Sequence, residues 1–133
     1  MKIGISSTGK ELNSQVDQRF GRCQYFLIVD TENMKYEYIS NESSMAAGGA
    51  GIRAAETIAK KGIEAVVTGN MGPNAFQTLS AAGIKIFTGA MGTINEAIEQ
   101  YKKGELKQTN APNVGSHSGM AGAGGGFGRG RNL

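Results

Sequence analysis

Residues 2–7, Lys-Ile-Gly-Ile-Ser-Ser, alternate apolar and polar positions and then meet Thr8-Gly9, which predicts a first strand and its stop. A long polar loop follows from Thr8 to Cys23. Residues 24–30 form a near-continuous apolar run, the mark of a central strand buried on both faces. After the turn Thr31-Glu32-Asn33, residues 34–40 alternate again, with Met34, Tyr36 and Tyr38 opposite Lys35 and Glu37, so strands two and three are predicted to form a hairpin. The period then changes to a helical one. Ile52, Ala55, Ile58 and Ala59 line one face of a first helix that Gly62 closes. Residues 64–68 read as a short buried strand. Pro73 opens a second helix carrying Ala75, Phe76, Leu79 and Ala82, with Gly83 as its stop. Residues 84–88 are a fifth strand. Thr93 and Glu96 have capping-box spacing ahead of Ile94, Ala97, Ile98 and Tyr101 on a third helix, ended by Gly104.

The order β-β-β-α-β-α-β-α predicts an α/β fold. Parallel strands in the second half carry helices on the sheet faces, and the hairpin makes strand two antiparallel in a mixed sheet. One internal repeat stands out. Thr68-Gly69-Asn70-Met71-Gly72 recurs as Thr88-Gly89-Ala90-Met91-Gly92, each between a strand and a helix. Two meanings fit it: tight turns that need glycine for positive φ, or one anion-binding chemistry used twice.

Composition refines this picture. The chain's 133 residues suit one domain, which buries roughly two-thirds of its unfolded surface. Its one cysteine, Cys23, rules out an internal disulfide and fits a reducing compartment. No run approaches the roughly 18 apolar residues of a membrane span, and Met1 to Ile5 reads as a strand and not a signal peptide, so a cytoplasmic protein is expected. Of the net charge of +3, Arg129 and Arg131 supply two, which leaves the body near +1, too little to argue for nucleic acid from charge alone. Glycine is abundant, with 21 copies, and the chain turns Gly-, Ser- and Ala-rich after Pro112. Such a composition cannot bury enough apolar surface to offset its ordering entropy, so a disordered tail is expected over residues 108–133.

Ligands of such sheets bind beyond the carboxyl ends of the parallel strands. Ser6-Ser7-Thr8-Gly9, Asn41 to Gly51, Gly69 to Gly72 and Gly89 to Gly92 should gather there, and three of these segments lead into helix N-termini with free amide donors. The run Ala47-Gly48-Gly49-Ala50-Gly51 is the most suggestive anion cradle. It lacks the Gly-Lys-Ser/Thr ending of a P-loop and the spacing of a dinucleotide fingerprint, and a plain flexible connector would also explain it. The loop Asp17-Gln18-Arg19-Phe20-Gly21-Arg22-Cys23 adds two guanidiniums suited to anionic oxygens or sulfides, and a thiol that cationic neighbours would turn into a thiolate, a soft metal ligand. A structural alternative stands beside this: Phe20 plugs the core, Arg19 pairs with Asp17, and Cys23 is simply buried. Met45, Met71 and Met91 are soft thioethers that also serve as gap fillers. His117, the one imidazole, is either an inert tail residue or a second metal ligand. Without a Cys-x-x-Cys or a Cys/His quartet, any cluster would be held by charge and amide hydrogen bonds with one or two direct ligands, Cys23 and His117. An enzyme is not expected. The two aspartates, Asp17 and Asp30, offer no in-strand carboxylate pair, and no base accompanies a nucleophile.

The stretch from Asp17 to Asp30, with Arg19-Phe20-Gly21-Arg22 and then Tyr25-Phe26, resembles the dinitrogenase iron-molybdenum cofactor biosynthesis family. So do the glycine-rich lead-in to helix one, the Gly69/Gly72 turn and the close Tyr101-x-x-Gly104-x-Leu106. The resemblance covers residues 1–107 and implies a ribonuclease H-like fold with sheet order 3-2-1-4-5 and strand two antiparallel. It also implies carriage of the iron-molybdenum cofactor or an iron-sulfur precursor. Arg19, Arg22, Gly48, Gly49, Gly51, Gly69, Gly72, Gly89 and Gly92 would then hold the cluster's charge. Nitrogenase-branch members often carry a histidine before helix one. Here Met45 to Gly51 has none, so a more generic iron-sulfur cluster is expected. A monomer is expected, with metallocluster donor or acceptor proteins as partners. Two other functions remain open: a nucleic-acid module using Gly128-Arg129-Gly130-Arg131, and a regulatory domain for a small anion or nucleotide.

Overall fold

A computed structural model describes residues 1–42 and 49–112. Its elements run β1 (Lys2–Ser7), β2 (Tyr25–Asp30), β3 (Tyr36–Ser40), α1 (Ala50–Ala59), β4 (Ala65–Val67), α2 (Pro73–Ala81), β5 (Lys85–Phe87) and α3 (Ile94–Lys102). The sheet order is β3-β2-β1-β4-β5. β1 pairs antiparallel with β2, Ile5 opposite Leu27, and parallel with β4, Ile5 beside Val67. β4 and β5 are parallel, with Val66 beside Ile86, and the β2–β3 hairpin is antiparallel, with Leu27 opposite Tyr38. The five-stranded mixed sheet with three helices is the expected fold.

Alternation along the strands divides the core in two. On one face Phe26, Ile28, Val66 and Ile86 pack with Ala54, Ala55 and Ile58 of α1 and with Ala75 and Leu79 of α2. On the other, Ile3, Ile5, Leu27, Val29 and Val67 pack with Ile94, Ala97 and Ile98 of α3. Strand three starts later than its alternation predicts, because Met34 takes φ 61° and its amide N–H closes the turn onto Asp30 O at 2.8 Å. It is an edge strand, which leaves Tyr36 and Tyr38 exposed. β4 and β5 are also shorter than their apolar runs. The domain boundary expected at residue 107 falls just before a further pairing: Gln108 bridges Phe87 antiparallel, and Thr109 N–H donates to Ile86 O at 2.7 Å, covering the outer edge of β5. Most of the tail expected over 108–133, including His117, lies outside the described residues, as do Met45 and Gly48.

Candidate functional site

β1, β4 and β5 run parallel, so their carboxyl ends share one edge of the sheet, and the long β1–β2 loop crosses that edge. Its contacts tie the glycine turns together. Asn70 N–H donates to Gln18 O (2.9 Å) and Phe20 N–H to Asn70 O (3.3 Å), setting Arg19 beside Asn70 as a parallel bridge. Gly89 N–H donates to Gly69 O (2.9 Å), and the Gln18 carboxamide donates to Ala90 O (3.0 Å). A Cβ at Gly21 would lie 3.0 Å from the Gly51 Cα, so the Arg-Phe-Gly-Arg turn presses backbone to backbone on the first turn of α1. Thus Arg19, Gly49, Gly51, Gly69, Gly72, Gly89 and Gly92 gather at one end of the sheet, with Arg22 next to the Gly21 contact.

The two copies of the repeat are not equivalent. Gly89 and Gly92 both take φ 87°, the left-handed turn that glycine serves. Gly69 has no such φ; a Cβ there would fall on the Gln18 side chain and lie 2.8 Å from the Gln18 Cα, so close packing demands glycine. The methionines differ likewise. Met71 is 1 % exposed and fills the core, whereas Met91 is 68 % exposed at the rim.

The three helix N-termini differ most. At α3 the Thr93 side chain accepts from Glu96 N–H and the Glu96 carboxylate accepts from Thr93 N–H, a complete capping box. The loop finishes the closure, since Ile94 N–H donates to Ser14 O (2.8 Å) and Asn95 N–H to Leu12 O (2.9 Å). The amides expected to be free behind Gly89 to Gly92 are therefore occupied by the chain itself. Thr93→Ala should lower stability by about 1 kcal/mol in denaturant titration, with ligand uptake at the site unchanged. A loss of uptake would place α3 in the site after all.

α1 and α2 start differently. Gly49 caps α1 and Gly72 caps α2, and among the described residues neither terminus has a side-chain cap. The two first turns lie side by side, since a Cβ on Gly51 would stand 3.5 Å from that of Ala75. Each terminus carries roughly half a positive charge, so the pair makes a region of positive potential. Arg53, at the fourth helical position of α1, adds a guanidinium where the dipole disfavours a cation, and α1 has no acid in its first turn. Among the described residues all three arginines, Arg19, Arg22 and Arg53, lie at this end, whereas Lys2, Lys60, Lys61, Lys85, Lys102 and Lys103 lie at strand starts and helix ends on the opposite edge. Arg53 went unnoticed in the sequence; its signal was a cation in the opening of a helix without acids.

Arg19 pairs with Asp17, as the structural alternative expected. Asp17 Oδ1 accepts from Arg19 N–H (2.9 Å) and lies 3.5 Å from Nε, while the Arg19 side chain stays 69 % exposed. Phe20 does plug the core, 2 % exposed and 5.1 Å from the ring of Phe26. Cys23 is where expectation and structure part. The thiol is fully buried and donates to Phe20 O at 3.3 Å. Burial pushes it up from 9.0 to about 12, and the Asp17 carboxylate adds to that; the Ser7 amide and the Asn41 side chain pull weakly the other way. The charged neighbour that acts on Cys23 is thus an anion, and the expected thiolate is corrected to a neutral thiol. Its raised value makes folded Cys23 hold its proton where the unfolded chain has lost it. Its contribution to stability is then whole below about 9 and drains away as pH rises toward about 12. Tyr101, raised by burial and by Glu64, adds in the same direction. Urea titrations from pH 8 to 11 should show this decline, and Cys23→Ser should flatten it; an identical slope in the variant would count against a buried neutral thiol.

Among the described residues no group of three or more His, Cys, Asp or Glu side chains could hold a metal ion. No helix among them is long and apolar enough to cross a membrane. The chemistry at this end of the sheet is that of arginines, helix amides and glycine backbone, suited to an anion held by charge and hydrogen bonds.

Residues 1–104 match the family model described as dinitrogenase iron-molybdenum cofactor. The chain is 31 % identical over 99 residues to an uncharacterized protein of Methanocaldococcus jannaschii, covering 72 % of this chain and 84 % of that one. The apo form of the orange protein from Desulfovibrio gigas superposes with a TM-score of 0.82 at 38 % identity, covering 84 % of this chain and 95 % of that chain. A putative NifB protein from Thermotoga gives a TM-score of 0.72 at 39 % identity, covering 80 % and 91 %. A match of this extent, on a fold whose glycine turns and arginine loop meet at one sheet end, makes the chain a member of the dinitrogenase iron-molybdenum cofactor family.

Proposed function

We propose that this protein binds and carries an anionic iron-sulfur-type metallocluster, or a cofactor precursor of that kind, without catalysing a reaction on it. The observation that carries this is the pairing of two N-termini that have no side-chain cap among the described residues, α1 and α2, with three arginines at the same end of the sheet. The family's name and a relative described in an apo form support a cluster as the anion. The cargo sits on the α1/α2 side, over Gly49, Gly51 and Gly72 with Arg19 and Arg22 across it; α3 is closed by its own cap and by Ser14 and Leu12. Gly69, Gly89 and Gly92 shape the floor. Hold by amides and guanidiniums, with few direct ligands, favours release to an acceptor protein. Cys23 becomes a ligand only if the Arg19–Cys23 turn opens; His117 would have to come from outside the described residues.

Anaerobic reconstitution of the full chain with iron and sulfide, followed by absorption and metal analysis, tests the proposal. Uptake of a chromophoric cluster that is lost at high salt supports it. A colourless protein that instead retains a nucleotide or a simple oxyanion overturns the cluster and leaves a regulatory anion domain.

A further inference from the structure

Asn41 follows β3 and lies behind the arginine turn, 6 % exposed. Its carboxamide Nδ2 donates to Gly21 O (3.1 Å) and Cys23 O (2.9 Å), and it also lies 3.9 Å from Cys23 Sγ. Its backbone N–H donates to Gln24 O at 2.9 Å. One buried side chain therefore closes two carbonyls of the turn that carries Arg19 and Arg22, and it stands against the sulfur. No other side chain bonds both Gly21 and Cys23 among the contacts of the described residues. The turn's other anchors lie mainly at its Arg19 end, where Phe20 N–H donates to Asn70 O and Arg19 N–H to Asp17 Oδ1, with Phe20 in the core and Gly21 against Gly51.

We propose that Asn41 is the positioning residue of the site: it clasps the Arg19–Cys23 turn in the form that presents the arginines, and it seals Cys23 from solvent. Release of the clasp opens the turn, lets the arginines drift from the α1/α2 end and uncovers the thiol. The clasp ties the end of β3 to the arginine motif, two segments 18 residues apart in sequence. Its effect on cargo rests on the cluster-binding function proposed above; its effect on the turn does not.

The physical reason is directional. A buried carbonyl without its donor carries the full cost of desolvation, so the turn rearranges to reach water when the carboxamide is lost. Asn41→Ala removes the donor and leaves space. Asn41→Asp keeps the shape and offers acceptors to two acceptors. A clasp predicts that both variants open the turn, whereas a mere space-filler predicts that aspartate behaves like the wild type.

The test uses the full chain without cargo. Iodoacetamide alkylation of Cys23 and hydrogen exchange at the amides of residues 19–23 are compared with those of Ile98→Val, a core variant on the other sheet face, at temperatures chosen for equal stability. Both Asn41 variants should alkylate about tenfold faster than that control, the ratio that loss of one buried hydrogen bond implies. Exchange should rise at residues 19–23 and not in α3. Alkylation and exchange no faster than in the control would overturn the proposal, as would a wild-type rate for Asn41→Asp. With cluster added, Asn41→Ala should bind about tenfold more weakly with both arginines in place. If wild type takes up no cluster, the function falls, while the alkylation and exchange arms still decide the role of Asn41.

Discussion

Phe20→Ala should destabilise the protein by about 3–5 kcal/mol, the usual cost of removing a buried ring without refilling its space. Phe20 is 2 % exposed and packs 5.1 Å from the ring of Phe26 in the core shared with α1 and α2. A domain of this class has roughly 5–15 kcal/mol to lose, so a large part of its stability would go. The melting temperature should fall by roughly 15 °C or more. Tyr38→Ala makes the contrast. That ring is 46 % exposed, meets Tyr25 edge-on and lies under Lys10 Nζ at 5.1 Å, so its loss should cost about 1 kcal/mol. Phe20 is also the pin between Arg19 and Gly21, and its removal should loosen the arginine turn even below the melting transition. Thermal unfolding by circular dichroism measures the first effect. A shift of only a degree or two would mean that Phe20 lies loosely, and that the turn is held by its backbone contacts alone.

The hydrophobic pattern carried most of the fold because each strand reports its own burial. Residues 24–30 had to be central, since Phe26 to Val29 are buried on both faces, and the change to helical period after residue 50 placed the crossovers. The order 3-2-1-4-5 came from the family resemblance, and the strand registers agree with it. The site was legible only in outline. Glycine-rich turns at parallel strand ends announced where the segments would meet. The Thr93/Glu96 spacing announced half of the closure of α3; the other half could not be read, because Ser14 and Leu12 complete it through backbone carbonyls, and any residue has those. The two copies of the repeat looked equal because sequence does not separate a glycine needed for positive φ from one needed for close approach. Cys23 misled for a related reason. Arg19 and Arg22 closely precede it in the chain, but the turn sends Arg19 outward and the thiol inward, toward Asp17 and Asn41. Neighbours in sequence did not become neighbours in the field.

Replacing Arg19 and Arg22 together with alanine should weaken cluster binding by about two orders of magnitude or more. Each charge-assisted hydrogen bond to an anion contributes about 1.5–3 kcal/mol, and 1.4 kcal/mol is about tenfold in affinity. The two residues share one turn, so their losses need not add. Arg19 asks for a control, because its removal takes a partner from Asp17, whose side chain is 10 % exposed. The Arg19 backbone N–H still holds Asp17 Oδ1 at 2.9 Å, so the carboxylate keeps a donor and the fold should survive. Lysine at both positions separates charge from geometry. It restores the cation without the planar fork, so binding should return only in part. Salt separates them again. The Arg19 side chain is 69 % exposed, and screening at 0.5 M salt should weaken the wild type toward the alanine variant while the variant itself changes little. Anaerobic titration with cluster, read by absorption at low and high salt, measures all three proteins. Equal affinity and equal salt dependence in wild type and double variant would remove the arginines from the site and leave the α1 and α2 amides, with Arg53, as the holders of the charge.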